Sequence, residues 1–339
     1  MNSLTGTGRG GTDQAAGAIE RARAGDARAL ARLVSLVENG APELRLVMKA
    51  VAPLTGHARV IGLTGAPGVG KSTVTAALVT AYRERDLRVG VLAVDPSSPF
   101  SGGALLGDRV RMQVHATDPG VFIRSMATRG HLGGLSQAAP QALRVLDAAG
   151  FDVLLVETVG VGQAEVEIAS LADTTLVLVA PGMGDAIQAA KAGILEVADI
   201  FVVNKADKAG AQEAVRDLRT MIAMARHGAG EWKPPIVTTV AVEGGGISEL
   251  IEKVAAHWSW LDSSGQGEAR RRARAREEIT AIVVAELRQR AGGLPGDSRL
   301  DSLAAQVADG ALDPFAAADE LVTAASAGPS RLIQEPGRR

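Results

Sequence analysis

Between residues 59 and 240 the chain repeats one pattern: a short apolar run rich in β-branched residues, followed by a longer stretch of helical character. The apolar runs fall at Arg59 to Thr64 (RVIGLT), Val89 to Val94, Val121 to Ser125, Val153 to Glu157, Thr175 to Ala180, Ile200 to Asn204 and Ile236 to Val240. Their length and composition predict buried strands, and stretches such as Lys71 to Arg85 predict the helices between them. Alternation of this kind predicts an α/β fold with a mainly parallel central sheet and helices on both faces. Ligands in that three-layer architecture sit beyond the C-terminal strand ends. A helix over Ile247 to Leu261 is expected to close the domain.

The flanks read differently. Residues 1–14 are expected to be a disordered tail, and residues 15–57 an N-terminal helical segment with helices near Ala15 to Ala24, Ala27 to Val37 and Pro42 to Ala52. The α/β domain occupies residues 58–262. Residues 263–339 form a C-terminal helical arm: a linker SSGQGE, a long helix from Ala269 to Arg290, and shorter ones near Leu300 to Val307 and Pro314 to Ala325. The long helix carries five arginines (Arg270, Arg271, Arg272, Arg274, Arg276). Without interleaved aromatics, and followed by Glu277 and Glu278, they read as a solvated or salt-bridged face rather than a nucleic-acid site. Ile279, Ile282, Val283 and Leu287 give the helix one apolar face, which makes the arm a candidate for dimerisation.

Chemistry concentrates where strands end. After the first strand comes GAPGVGKS, Gly65 to Ser72. Glycines at Gly65, Gly68 and Gly70 allow positive φ and close approach of backbone to phosphate, and the following helix presents its N-terminus. The set Gly65, Ala66, Pro67, Gly68, Val69, Gly70, Lys71, Ser72 and Thr73 therefore reads as a phosphate loop. Lys71 would neutralise the β and γ phosphates and Ser72 would coordinate Mg²⁺. The sixth strand ends in Asn204, Lys205, Ala206, Asp207. Asp207 can accept two hydrogen bonds from guanine, which adenine cannot offer, and such a site can reject the wrong base by roughly 10⁴. Lys205 would lay its stem over the base, and Asn204 would tie this loop to the phosphate loop. The two motifs together imply GTP and GDP as ligands and phosphoryl transfer to water as the reaction.

A third motif lies between them, Glu157, Thr158, Val159, Gly160. Glu157 is expected either to reach the metal's water shell or to position the attacking water, and the Gly160 amide to sense the γ phosphate. Asp95 at a strand end and Asp108 after a glycine-rich segment could both swing toward Mg²⁺; the alternative is that they cap a turn and a helix. After the last strand only Ala241, with its backbone amide, matches a guanine-reading loop.

Composition changes the picture mainly by exclusion. The chain has 339 residues, 46% of them hydrophobic, with formal net charge −2 and no cysteine. A disulfide framework and a thiol nucleophile are excluded, and nothing in the charge favours nucleic acid. The five histidines are scattered, and no apolar run reaches membrane-span length. Met1 to Gln14 lacks a signal or transit pattern, so a cytoplasmic protein is expected.

The motifs also carry a resemblance. From about Gly25 to Ala325 the chain is similar to the methylmalonyl-CoA mutase-associated GTPases of the MeaB/ArgK type, P-loop GTPases with glutamate in the third nucleotide motif. The matching blocks are GAPGVGKS, Val94 to Met112, Phe122 to Ser136, Glu157 to Gln163 and Ala180 to Asp207. The resemblance implies a P-loop NTPase three-layer fold and a GTP-hydrolysing chaperone that loads and protects an adenosylcobalamin-dependent acyl-CoA mutase. It also implies that Asp95 and Asp108 belong to the first switch region. Asp185, Gln188 and Lys191 would relay nucleotide state to the mutase. Val161 follows Gly160 where many GTPases place a glutamine, so slow intrinsic hydrolysis, accelerated by the mutase, is expected. Arg109, Arg111, Arg124 or the partner could supply an activating cation. Other readings are a nickel or cobalt metallochaperone GTPase, a kinase of a transport-binding protein, and a module that holds nucleotide without hydrolysing it.

Overall fold

The computed structural model describes residues 9–95, 115, 117–127, 138–158, 164–182, 196–224, 228, 230–290 and 298–326. Seven strands form one sheet: β1 (Arg59–Thr64), β2 (Val89–Asp95), β3 (Val121–Ala127), β4 (Val153–Thr158), β5 (Thr174–Val179), β6 (Ile200–Asn204) and β7 (Ile236–Thr239). Their order is β3-β2-β4-β1-β5-β6-β7, and every pairing is parallel. Parallel strands must be covered on both faces, and this explains why their sequences read as nearly continuous apolar runs.

The side chains of each strand alternate between two cores. Ile61, Leu63, Leu176, Leu178, Ile200 and Val202 face α4 (Lys71–Arg83) and the closing helix α8 (Ile247–Ser264). On the opposite face, Val60, Leu154 and Val156 pack with α1 (Arg9–Arg23), α2 (Ala27–Glu38), α3 (Leu44–Val51), α5 (Ala139–Ala148) and α6 (Ala164–Leu171). Val177, Val179, Phe201 and Val203 extend this face under α7 (Ala211–Met224). The N-terminal helices thus belong to the main core. That burial accounts for one departure from expectation: α1 begins at Arg9, inside the tail read as disordered, because Ala15, Ala18, Ile19 and Ala22 form a buried face.

A second departure concerns the linker. α8 runs through Ser264, Gly265 adopts φ 74°, and α9 (Gln266–Arg290) starts at once, so a single residue breaks the helix where SSGQGE was expected to be a linker. The chain divides into two compact units, Met1–Arg272 and Ala273–Arg339, within α9 rather than at residue 263. In the second unit, α10 (Ser298–Ala308) and α11 (Pro314–Ser326) bury Leu303 and Ala317. Ile279, Val283, Leu287 and Phe315 are exposed there.

Among the described residues, no helix is long and apolar enough to cross a membrane.

Candidate active site

Register brings the three motifs together. Leu63 of β1 pairs with Glu157 of β4, so the loop after β1 emerges beside that carboxylate. Asn204 ends β6 opposite Thr239 of β7. The phosphate loop, the glutamate and the guanine motif therefore all lie at the C-terminal edge of the sheet.

The loop from Gly65 to Gly70 turns through left-handed backbone at Gly65, Gly68 and Gly70. Two of these positions also have no room for a side chain. A Cβ on Gly65 would collide with the Leu178 carbonyl oxygen, and one on Gly70 would collide with Asn204 Nδ2. Gly70 is the N-cap of α4, which puts Lys71, Ser72 and Thr73 in the first helical turn. Ala66 and Pro67 complete the loop, and Val69 is fully buried in the core beneath it.

Lys71 is almost wholly buried, and its Nζ donates to the carbonyls of Gly65 (2.7 Å) and Ala66 (3.2 Å). This ammonium is held at the mouth of its own loop. Glu157 is 1% exposed. The Ser72 hydroxyl donates to its Oε1 at 2.5 Å, and the Thr75 hydroxyl approaches its Oε2 at 2.9 Å. A serine hydroxyl beside a carboxylate is a hard-oxygen donor set of the kind Mg²⁺ favours.

Asn204 joins the loop after β1 to the end of β7. Its Nδ2 donates to the Val69 carbonyl at 2.9 Å, while its Oδ1 accepts from the Thr239 hydroxyl at 3.1 Å and the Ala241 amide at 3.3 Å. Lys205 has left-handed backbone (φ 57°), and its Nζ donates to the Gly68 carbonyl at 2.8 Å, a second bridge across the same gap. Asp207 stays open to solvent with Lys208 Nζ 3.0 Å away. That ammonium holds the Asp207 carboxyl below the usual carboxylate range. An ionised, accessible acceptor is the state a base reader requires.

Thr75 and Thr239 were not among the residues singled out from sequence. Thr75 lies three residues after Ser72, a helical spacing that shares one face, and is buried among apolar neighbours. That spacing was the available signal. Thr239 had none beyond its place at the end of β7.

Of the other expected residues, Asp95 closes β2, with its backbone paired to Ala127. Asp108, Gly160, Asp185, Gln188, Lys191, Arg109 and Arg111 lie outside the described residues. Arg124 is committed elsewhere: it pairs with Glu38 of α2, and its guanidinium donates to Ser35 Oγ at 3.1 Å.

The sequence pattern of the family described as methylmalonyl Co-A mutase-associated GTPase MeaB matches residues 30–294. A Pyrococcus horikoshii protein named as a GTPase is 48% identical over 303 residues, which are 89% of this chain and 95% of that protein. The Escherichia coli GTPase ArgK is 39% identical over 263 residues, 73% of this chain and 77% of its own length. A crystal structure of an LAO/AO transport system kinase superposes with a TM-score of 0.68 at 28% identity, covering 92% of this chain and 97% of that one. With seven parallel strands, and the GAPGVGKS and NKAD motifs on one edge of their sheet, the chain belongs to the MeaB family of P-loop GTPases, and its reaction is the hydrolysis of GTP.

Proposed function

We propose that this GTPase is the chaperone of an adenosylcobalamin-dependent acyl-CoA mutase, methylmalonyl-CoA mutase first among them, and that GTP turnover is coupled to loading and protecting the mutase's cofactor. The observation that carries this reading is the family match across residues 30–294, whose description names the mutase.

In this reading the Gly65 to Thr73 loop and the N-terminus of α4 hold the phosphates, and Lys71 moves its ammonium from the loop carbonyls onto the β and γ oxygens. Ser72 and Glu157 would hold Mg²⁺, with Asp95 and Asp108 joining from the first switch, and the bound ion would supply charge neutralisation to the phosphates. The 2.5 Å contact between Ser72 and Glu157 supports placing the carboxylate in the metal's shell. Gly160 senses the γ phosphate. Asp207 reads guanine N1 and N2, with the Ala241 amide and the Lys205 stem completing the base site and Asn204 keeping that site in register with the phosphates. Asp185, Gln188 and Lys191 carry the nucleotide state to the mutase, which supplies the activating group. The exposed apolar side chains of residues 279–315 form a homodimer contact, and the protein works in the cytoplasm.

The deciding experiment is phosphate release from GTP, with and without purified methylmalonyl-CoA mutase, with ATP and Lys71→Ala as controls. GTP-selective turnover that the mutase accelerates at least tenfold supports the reading; turnover indifferent to the mutase rejects the partner. The similarity to the LAO/AO transport system kinase favours a second reading, kinase action on a transport-binding protein. Terminal phosphate recovered on such a protein, rather than in solution, would establish it.

A further inference from the structure

We propose that Thr75 is a positioning residue for hydrolysis: its hydroxyl holds the Oε2 oxygen of Glu157, so that the carboxylate keeps its aim while Ser72 turns to the metal. This rests on the reading of Glu157 as the working carboxylate of the phosphate site.

The argument begins with how many partners one hydroxyl can satisfy. Thr75 Oγ1 lies 3.0 Å from the Lys71 carbonyl and 2.9 Å from Glu157 Oε2. A hydroxyl has one hydrogen to donate. Mid-helix threonines commonly give it to the carbonyl four residues back, but a carboxylate is the stronger acceptor. Thr75 is 0% exposed and Glu157 1%. Bulk water has no ready access to take over the contact if the hydroxyl is removed.

Ser72 and Thr75, both bonded to Glu157, have different futures in the reaction. Ser72 sits in the first turn, where its oxygen is wanted by the metal. Thr75 sits one turn deeper, on the same face, with no route to the nucleotide. It is therefore a partner that can remain in place through the cycle, and it acts on the reaction through Glu157.

The experiment is a double-mutant cycle in the full-length protein with Thr75→Val, Thr75→Ser and Glu157→Gln. It measures kcat and KM for GTP hydrolysis, binding of a fluorescent GDP analogue with and without Mg²⁺, and melting temperature. Thr75→Val is expected to lower kcat by roughly tenfold, the effect of one hydrogen bond to a charged group. KM and GDP binding should stay within about twofold. Thr75→Ser should recover most of the rate, and Thr75→Val should have no further effect when combined with Glu157→Gln. Should Thr75→Val not fold, Thr75→Ala takes its place in the cycle. Full kcat in Thr75→Val beside an inactive Glu157→Gln would overturn the proposal and leave the role of Glu157 standing. Full kcat in Glu157→Gln would remove the premise and the proposal together. An equal loss of rate from Thr75→Val with and without Glu157→Gln would assign Thr75 to packing alone.

Discussion

Two buried carboxylates sit at opposite ends of the same sheet and are held in opposite ways. Glu157, near the C-terminal end of β4, takes hydrogen bonds from the hydroxyls of Ser72 and Thr75. Asp199, just before β6, is gripped from several sides. Arg270 donates to both its oxygens at 3.0 and 2.8 Å, the Thr175 amide donates at 2.8 Å, and His257 Nε2 lies 3.3 Å away. Burial pushes the Asp199 carboxyl up, yet His257 and Arg270 beside it outweigh that and hold it below its ordinary value. Around the cluster, Trp232 Nε1 donates to the Asp199 carbonyl at 2.7 Å, and the His257 ring stacks on Trp260. A hydroxyl can rotate to a new partner cheaply, whereas a bidentate ion pair under aromatic cover cannot. In the proposed function the first carboxylate serves turnover, whereas the second holds α8 and the start of α9 to the sheet.

That contrast can be broken experimentally. The largest effect is expected from Glu157→Gln, which should lower kcat by about 10²–10³, as for loss of one transition-state electrostatic contact, while melting temperature holds within ~3 °C. Phosphate release and calorimetry on one sample check both halves; a large fall in melting temperature would place Glu157 with Asp199 as a staple. Asp199→Asn should do the reverse. Removing one partner of a buried pair costs about 3 kcal/mol, a fall of roughly 6–12 °C for a domain this size, with kcat within about twofold below the transition.

Arg270→Ala sharpens the comparison through pH. Because the Asp199 carboxyl is depressed in the folded state, its contribution is present above about pH 4, the unfolded value, and is lost as pH falls through the folded one. Without Arg270 the folded value rises, so acid unfolding should begin at higher pH; an unchanged acid midpoint would contradict the assignment. The smallest effect is expected from Thr174→Val, which removes the hydroxyl 2.8 Å from His257 Nδ1. It should cost on the order of 1–2 kcal/mol and leave GTP turnover untouched.

The legible part of this molecule was what repeats or what glycine marks. All seven strands and the glycine turn after β1 could be read because apolar runs and positive-φ turns are local signals. The Thr75–Glu157 contact spans 82 positions and the Arg270–Asp199 pair 71. Neither follows from any local pattern, since each exists only once the sheet order is set. Arg270 was read as one of five arginines on a solvated or salt-bridged face, and it takes the salt-bridged alternative with the buried Asp199, while Arg272 makes an exposed i,i+4 pair with Glu268. The start of α1 was missed for a related reason: glycine-rich residues 9–14 carry no helical signal, and the helix is drawn out by the face that follows.

The fit of Gly70 against Asn204 bears on how such a protein can evolve. A methyl group at 70 would collide with the Asn204 amide, and a smaller residue at 204 would lose the bonds to Val69, Thr239 and Ala241. Neither position can drift alone. Asp207, by contrast, is exposed and paired with a surface lysine, so its replacement would disturb little else. Under the proposed base-reading role of Asp207, a lineage could change which base it accepts by single steps, while the frame of Gly70 and Asn204 stays frozen in its sequence.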